Sequence, residues 1–124
     1  MNLVDSSGWI EYFTNGPLAG RYEKHLQIPR QNIVPAVVLY EVYKKIKQEK
    51  GEESALVAVS VMQQCTAIVL DEDLALEAAD IGLRYRMAMA DAMVYAAALR
   101  QKASLITSDK DFKDLPHVIY YPKN

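Results

Sequence analysis

The chain has 124 residues, 51% of them hydrophobic and 24% charged, the size and balance of one ordinary globular domain that can bury a core. A formal net charge of −2 excludes a bulk basic field for attracting nucleic acid and leaves only a local basic patch. The single cysteine, Cys65, excludes an internal disulfide, and neither a leader peptide nor a membrane span is readable in the apolar runs. The expectation is one soluble, cytoplasmic domain over residues 1–124.

Met1 to Asp5 reads as a short strand ending on an acid. Ser6 and Ser7 are placed to cap a helix carrying Trp9, Ile10, Tyr12 and Phe13, and Asn15-Gly16-Pro17 breaks it. A second short helix is expected from Leu18 to Leu26, then a strand at Asn32 to Pro35, with Pro35 suited to the first turn of the next helix. Ala36 to about Lys50 is helical in pattern and stops at Gly51. Glu52 to Gln64 is a further apolar helix, and Thr66 to Leu70 is a compact strand with β-branched residues. Asp71 is placed to cap a helix in which Leu74, Ala78, Ile81 and Tyr85 recur at helical spacing. Met89 to Leu99 is an apolar helix with one carboxylate, Asp91. Ser104 to Thr107 is a strand, Ser108 to Phe112 a turn or short helix, and Val118 to Tyr121 a last strand closed by Pro122. Strands separated by helices imply an α/β fold, with a mostly parallel sheet covered on both faces.

In open parallel sheets, ligands gather at the carboxyl ends of the strands. Asp5 follows the first strand and Asp109 the Ser104–Thr107 strand, Glu41 lies one to two turns into its helix, and Asp91 lies near the start of another. If the four meet, their repulsion requires protonation or cations, and hard oxygen ligands suit Mg²⁺ or Mn²⁺. His25 and His117 lack ligand spacing, so zinc has no evident claim. Divalent cations on carboxylates are well suited to phosphodiester cleavage. Each acid also has a plainer role: Asp5 as a turn or cap residue, Glu41 as a surface partner of Lys44 or Lys45, Asp91 as a helix N-cap, Asp109 and Asp111 as turn acids.

The order of these motifs carries a resemblance. Asp5-Ser6-Ser7 after a terminal strand, Tyr40-Glu41-Val42 in a helix, Ala90-Asp91-Ala92, then Thr107-Ser108-Asp109-Lys110-Asp111-Phe112 resembles a PIN domain. More narrowly, the chain is similar over essentially its whole length to VapC-type toxins of toxin–antitoxin pairs. The resemblance implies a three-layer α/β/α sandwich and a metal-dependent endoribonuclease leaving a 5′-phosphate and a 3′-hydroxyl. It also implies that Asp5, Glu41, Asp91 and Asp109 are the catalytic and metal-binding acids. Asp5 and Asp91 would hold the principal ion with Glu41 nearby, and Asp109 would position a second ion or the attacking water. Asp111 would be an auxiliary acid, with Ser7 and Thr107 orienting carboxylates or water. Implied partners are RNA, an antitoxin protein bound near Trp9, Tyr12 and Phe13, and a second copy of the chain.

RNA approaching an acidic centre needs cations at the rim. Lys44, Lys45 and Lys47, with Arg84, Arg86 and Lys110, are candidates, although lysines on a helix back are commonly solvated surface. Tyr85 and Tyr95 are candidates for base stacking or for the core. Two other readings stay open. One is a PIN nuclease of RNA processing, and the other is a non-catalytic, receiver-like α/β domain with Asp71 as its acid.

Overall fold

The computed structural model describes residues 1–123. Among the described residues five short strands and six helices follow in chain order: β1 Asn2–Val4, α1 Ser6–Phe13, α2 Ala19–Leu26, β2 Ile33–Pro35, α3 Ala36–Lys50, α4 Glu52–Met62, β3 Thr66–Ile68, α5 Glu72–Tyr85, α6 Met89–Arg100, β4 Ser104–Thr107 and β5 Val118–Tyr120. Single 3-10 turns lie at Pro29–Gln31 and Lys110–Phe112.

All three strand ladders are parallel. β4 lies between β1 and β5, with Leu3 opposite Leu105 and Thr107 opposite Tyr120, while β2 pairs with β3. One parallel bridge between Asn2 and Asn32 joins the two groups, so the strands run in the order 3-2-1-4-5. The apolar strand residues Leu3, Val4, Ile33, Leu105 and Ile106 are buried with Trp9, Val38, Val42, Tyr95 and Phe112. Strands buried on both faces read as continuous apolar runs because helices cover each side. The result is the three-layer α/β/α arrangement. Burying each large apolar side chain contributes about 1.5–3 kcal/mol.

Sequence and structure part company at several element ends. The apolar run after Thr66 predicts a strand to Leu70, yet β3 ends at Ile68, and Val69 and Leu70 are exposed. Its partner β2 ends at Pro35, which has no N–H to extend the ladder and is itself the N-cap of α3. α4 ends at Met62 rather than Gln64, because Gln64 and Cys65 donate to the carbonyls three residues back, Val61 and Met62, and tighten the last turn. Gly51, at φ +93°, closes α3 and opens α4, a left-handed position that suits a residue without Cβ. Ser6 and Ser7 are the first two residues of α1, and its N-cap is Asp5, whose side chain makes no capping bond. No helix among the described residues is long and apolar enough to cross a membrane.

Candidate metal centre

With strands in the order 3-2-1-4-5, the connections lead one way from β1 through β2 to β3 and the other way from β4 to β5. In open α/β sheets ligands bind outside the carboxyl ends of the strands where this direction changes, here those of β1 and β4. The Asp5 amide donates to the Ile106 carbonyl at 3.0 Å, which levels the two strand ends. Asp5 therefore emerges beside Thr107.

The buried Asp5 carboxylate is held from both strand ends. Thr107 Oγ1 donates to Asp5 Oδ2 at 2.9 Å, and Ser7 Oγ donates to the same oxygen at 3.1 Å. Each hydroxyl is fixed in turn by a backbone amide: Asp109 N–H donates to Thr107 Oγ1 at 2.9 Å, and Ser108 N–H to Ser7 Oγ at 3.1 Å. Burial pushes the Asp5 carboxyl up from its ordinary value, the bonds from Thr107, the Ser6 backbone and Ser7 oppose this, and the charge of Asp109 adds to the rise.

Asp91 stands in the first turn of α6, where the N-cap is Ala88, so Asp91 is not the capping residue. A carboxylate in a first turn is ordinarily favoured by the helix dipole. Here the opposite holds: partial burial first, then the charges of Asp109, Asp5 and Asp111, push Asp91 up to about 7. One oxygen from each of Asp91, Asp109 and Asp111 lies within 4.8 Å of the others. The Asp111 amide donates to Asp109 Oδ1 at 2.9 Å, a tight turn that carries the second acid back beside the first. Asp111, expected as an auxiliary acid, is thus a member of the closest group.

Asp5 and Glu41 lie outside that triple but are felt by it. Half-burial raises the Glu41 carboxyl, with the charges of Asp5 and then Asp109 adding to the rise and the Ser6 hydroxyl opposing it. Among the described residues no lysine pairs with Glu41; Lys45 instead pairs with Glu49 at 2.9 Å. The ion pairs of the described residues engage Glu11, Glu49, Glu52, Asp71 and Glu77, and none reaches Asp5, Glu41, Asp91, Asp109 or Asp111. The three grouped carboxylates, with Asp5 and Glu41 electrostatically coupled to them, offer hard oxygen donors of the kind divalent cations take. His25 Nε2 is bound to the Tyr121 hydroxyl at 2.8 Å, and among the described residues no group mixing histidine or cysteine with the acids comes together.

The rim cations divide. Lys44 lies over the Tyr40 ring at 5.5 Å and Lys47 over Tyr43 at 5.3 Å, both exposed on α3. Lys45 is half of a surface ion pair, and Lys110, Arg84 and Arg86 are exposed. Tyr95 is 1% exposed and donates to the Pro116 carbonyl at 2.9 Å, so it belongs to the core and offers no face to a base; Tyr85 packs edge-on against it. Asp71 caps α5 by accepting from the Leu74 amide at 2.8 Å, an ordinary structural use away from the acidic rim.

The motifs contain Ser108 without giving it a role, and they do not reach Tyr22. Tyr22, fully buried, meets Ser108 Oγ at 2.6 Å across 86 residues of sequence. The only local sign is an aromatic residue on a helix otherwise rich in charge.

Residues 3–118 match the family model of the PIN domain, and the chain belongs to that family. Among solved structures, the toxin–antitoxin complex from Klebsiella pneumoniae aligns with a TM-score of 0.83 at 23% identity, covering 99% of this chain and 100% of that one. VapC20 of Mycobacterium tuberculosis, a sarcin-ricin-loop-cleaving toxin, aligns at 0.77 and 17% identity over 90% of this chain and 92% of its own. DNA-bound VapBC from Salmonella typhimurium aligns at 0.75 and 17% identity over 98% of both chains. The fold is that of VapC toxins over nearly the whole chain. No curated protein matches it by sequence.

Proposed function

We propose that this PIN domain is a metal-dependent endoribonuclease and the toxin of a type II toxin–antitoxin pair. The observation that carries the reading is the group Asp91, Asp109 and Asp111, with donor oxygens within 4.8 Å and no cation paired to any of them. In this reading Asp5, Asp91 and Asp109 hold Mg²⁺ or Mn²⁺, with Asp111 completing the group and Glu41 at its edge. When bound, the ion supplies an activated water and charge stabilisation at the phosphodiester.

The remaining tasks fall to the chain itself. Ser7 and Thr107 fix Oδ2 of Asp5, so the carboxylate does not reorganise when a cation arrives. The Asp111 amide fixes Asp109 in the same way. Glu41, its carboxyl raised by burial and by the charge of Asp5, would take a proton from the attacking water. Lys44 and Lys110, both exposed, are the rim cations assigned to RNA phosphates. Hydrolysis would leave a 5′-phosphate and a 3′-hydroxyl.

An antitoxin partner is supported by two of these structures, the Klebsiella pneumoniae toxin–antitoxin complex and DNA-bound VapBC from Salmonella typhimurium. A second copy of the chain is supported by an apolar surface over α5 and the start of α6, where Leu83, Met89 and Leu76 are 82%, 75% and 68% exposed. The test of catalysis is cleavage of RNA with Mg²⁺ or Mn²⁺ by the wild type, Asp5→Asn and Asp91→Asn. Both variants are expected to lose cleavage, and variants that cut as well as wild type end the metal reading. Expression without a partner is expected to arrest growth; harmless expression of an RNase-active chain would assign it to RNA processing.

A further inference from the structure

We propose that Tyr22 is a positioning residue of the acidic centre, its hydroxyl fixing Ser108, and through Ser108 the Ser7 hydroxyl that holds Asp5 for a divalent cation. The inference rests on the metal reading above and extends it to a helix that carries none of the acids.

The path is short and buried. Tyr22 OH meets Ser108 Oγ at 2.6 Å, the Ser108 amide donates to Ser7 Oγ at 3.1 Å, and Ser7 Oγ donates to Asp5 Oδ2 at 3.1 Å. Tyr22 is fully buried and Ser108 is 8% exposed, so water does not substitute readily for either partner. Burial lifts the Tyr22 phenol to about 12, which keeps it protonated and able to serve as a neutral partner beside Asp5.

The surrounding sequence is shaped to admit this ring. Gly8 follows Ser7 in α1, and a Cβ there would overlap both the Tyr22 ring and the Val4 side chain. Glycine inside a helix is unfavourable, so its use here answers a need for close approach. From the other side, the Tyr121 ring stands edge-on to Tyr22 with centroids 5.5 Å apart. Tyr121 is itself anchored by its amide on the Thr107 carbonyl at 2.8 Å and by its hydroxyl on His25 at 2.8 Å. The ring is therefore clamped between α1 and the residue that follows β5, with its hydroxyl on Ser108. Packing alone would be met by phenylalanine. The hydroxyl is the part that needs Ser108.

The experiment compares wild type with Tyr22→Phe, Ser108→Ala and Tyr95→Phe. Tyr95→Phe deletes a buried phenol hydroxyl bound only to the Pro116 carbonyl and so matches the loss of stability without touching this path. Mn²⁺ binding is followed by the electron paramagnetic resonance of free Mn²⁺, and single-stranded RNA cleavage is followed in parallel. Tyr22→Phe is expected to weaken Mn²⁺ binding about tenfold and to lower kcat with KM for RNA within twofold, the size usual for partners behind a metal ligand. Ser108→Ala should do the same, and the double variant should be no worse than either single one. Tyr95→Phe should bind Mn²⁺ as wild type does.

If Tyr22→Phe and Ser108→Ala bind Mn²⁺ within twofold of wild type, the inference is overturned and the hydroxyl is merely structural. Should Tyr22→Phe fail to fold, Ser108→Ala alone decides, since alanine keeps the backbone amide on Ser7. A wild-type chain that takes up no Mn²⁺ ends the metal reading and this inference together.

Discussion

Replacing Asp91 by Asn should stabilise the cation-free protein at pH 8 and abolish its response to Mn²⁺. In the folded chain the Asp91 carboxyl is raised from 3.8 to about 7, first by burial and then by Asp109, Asp5 and Asp111. Between those two values the folded chain keeps a proton that the unfolded chain has released. Stability therefore falls as pH rises through this window, and the whole penalty stands above pH 7. Unscreened, such a shift corresponds to ~4 kcal/mol. Asp91 is only partly buried, and solvent screening brings the penalty to about 1–2 kcal/mol. Asparagine keeps the shape and removes the charge. In EDTA at pH 8, thermal unfolding of Asp91→Asn should lie about 3–8 °C above wild type, and the gain should shrink towards zero as the pH is lowered to 4.

Saturating Mn²⁺ should reverse the order. A ligand at a hundred times its Kd stabilises the folded state by about 2.7 kcal/mol, which the wild type gains and the variant does not. The two curves, with and without Mn²⁺, should cross between the proteins. An Asp91→Asn variant less stable than wild type in EDTA at pH 8 would refute the reasoning, because it would make Asp91 a structural acid with a favourable partner. Equal stabilisation of both proteins by Mn²⁺ would refute it on the other side.

Three further substitutions separate the frame from the site. Thr107→Val strips the donor from Asp5 and the acceptor from the Asp109 amide at a fully buried position. It should cost about 2–3 kcal/mol in urea unfolding and weaken Mn²⁺ binding, with Thr107→Ser recovering both. Glu11→Ala removes a buried acceptor from the Leu18 amide, 3.0 Å away, where the chain turns from α1 into α2. The expected loss in urea unfolding is about 1–3 kcal/mol, largely regained in Glu11→Gln, which keeps a side-chain carbonyl. Arg86 closes α5 in the left-handed region at φ 55° and ψ 47°, so Arg86→Gly should raise stability by about 1 kcal/mol, measured the same way.

How far the fold was legible depended on where each boundary is decided. β1, β4, α3 and α6 could be read because their own residues set them: apolar strand runs, and Gly51 as a stop. Val69 and Leu70 read as strand, but β3 ends before them because its end is set by Pro35 on the neighbouring strand, 33 residues before Ile68. The fate of Ser6 and Ser7 was also decided elsewhere. As hydroxyls after an acid they look like helix caps, but Thr107 and Ser108 from the far end of the chain claim the Asp5 and Ser7 side chains instead.

The acidic rim shows the same division in sharper form. Asp5, Asp91 and Asp109 stand out in the sequence because each sits at an element junction, and position after a strand is a local property. Asp111 is two residues from Asp109, a spacing that reads as a turn, and only the bond from its amide to Asp109 Oδ1 brings both carboxylates to one side. Tyr22 is harder still, since nothing in α2 marks it until β4 and α1 close over it. The acids that would meet a cation are thus visible in the chain, whereas the groups that hold them still are visible only in the fold. The proposed metal centre, drawn from four distant segments, needs both kinds. Its holding groups come from whichever elements the sheet order places behind the acids, here the end of β4 and the buried face of α2.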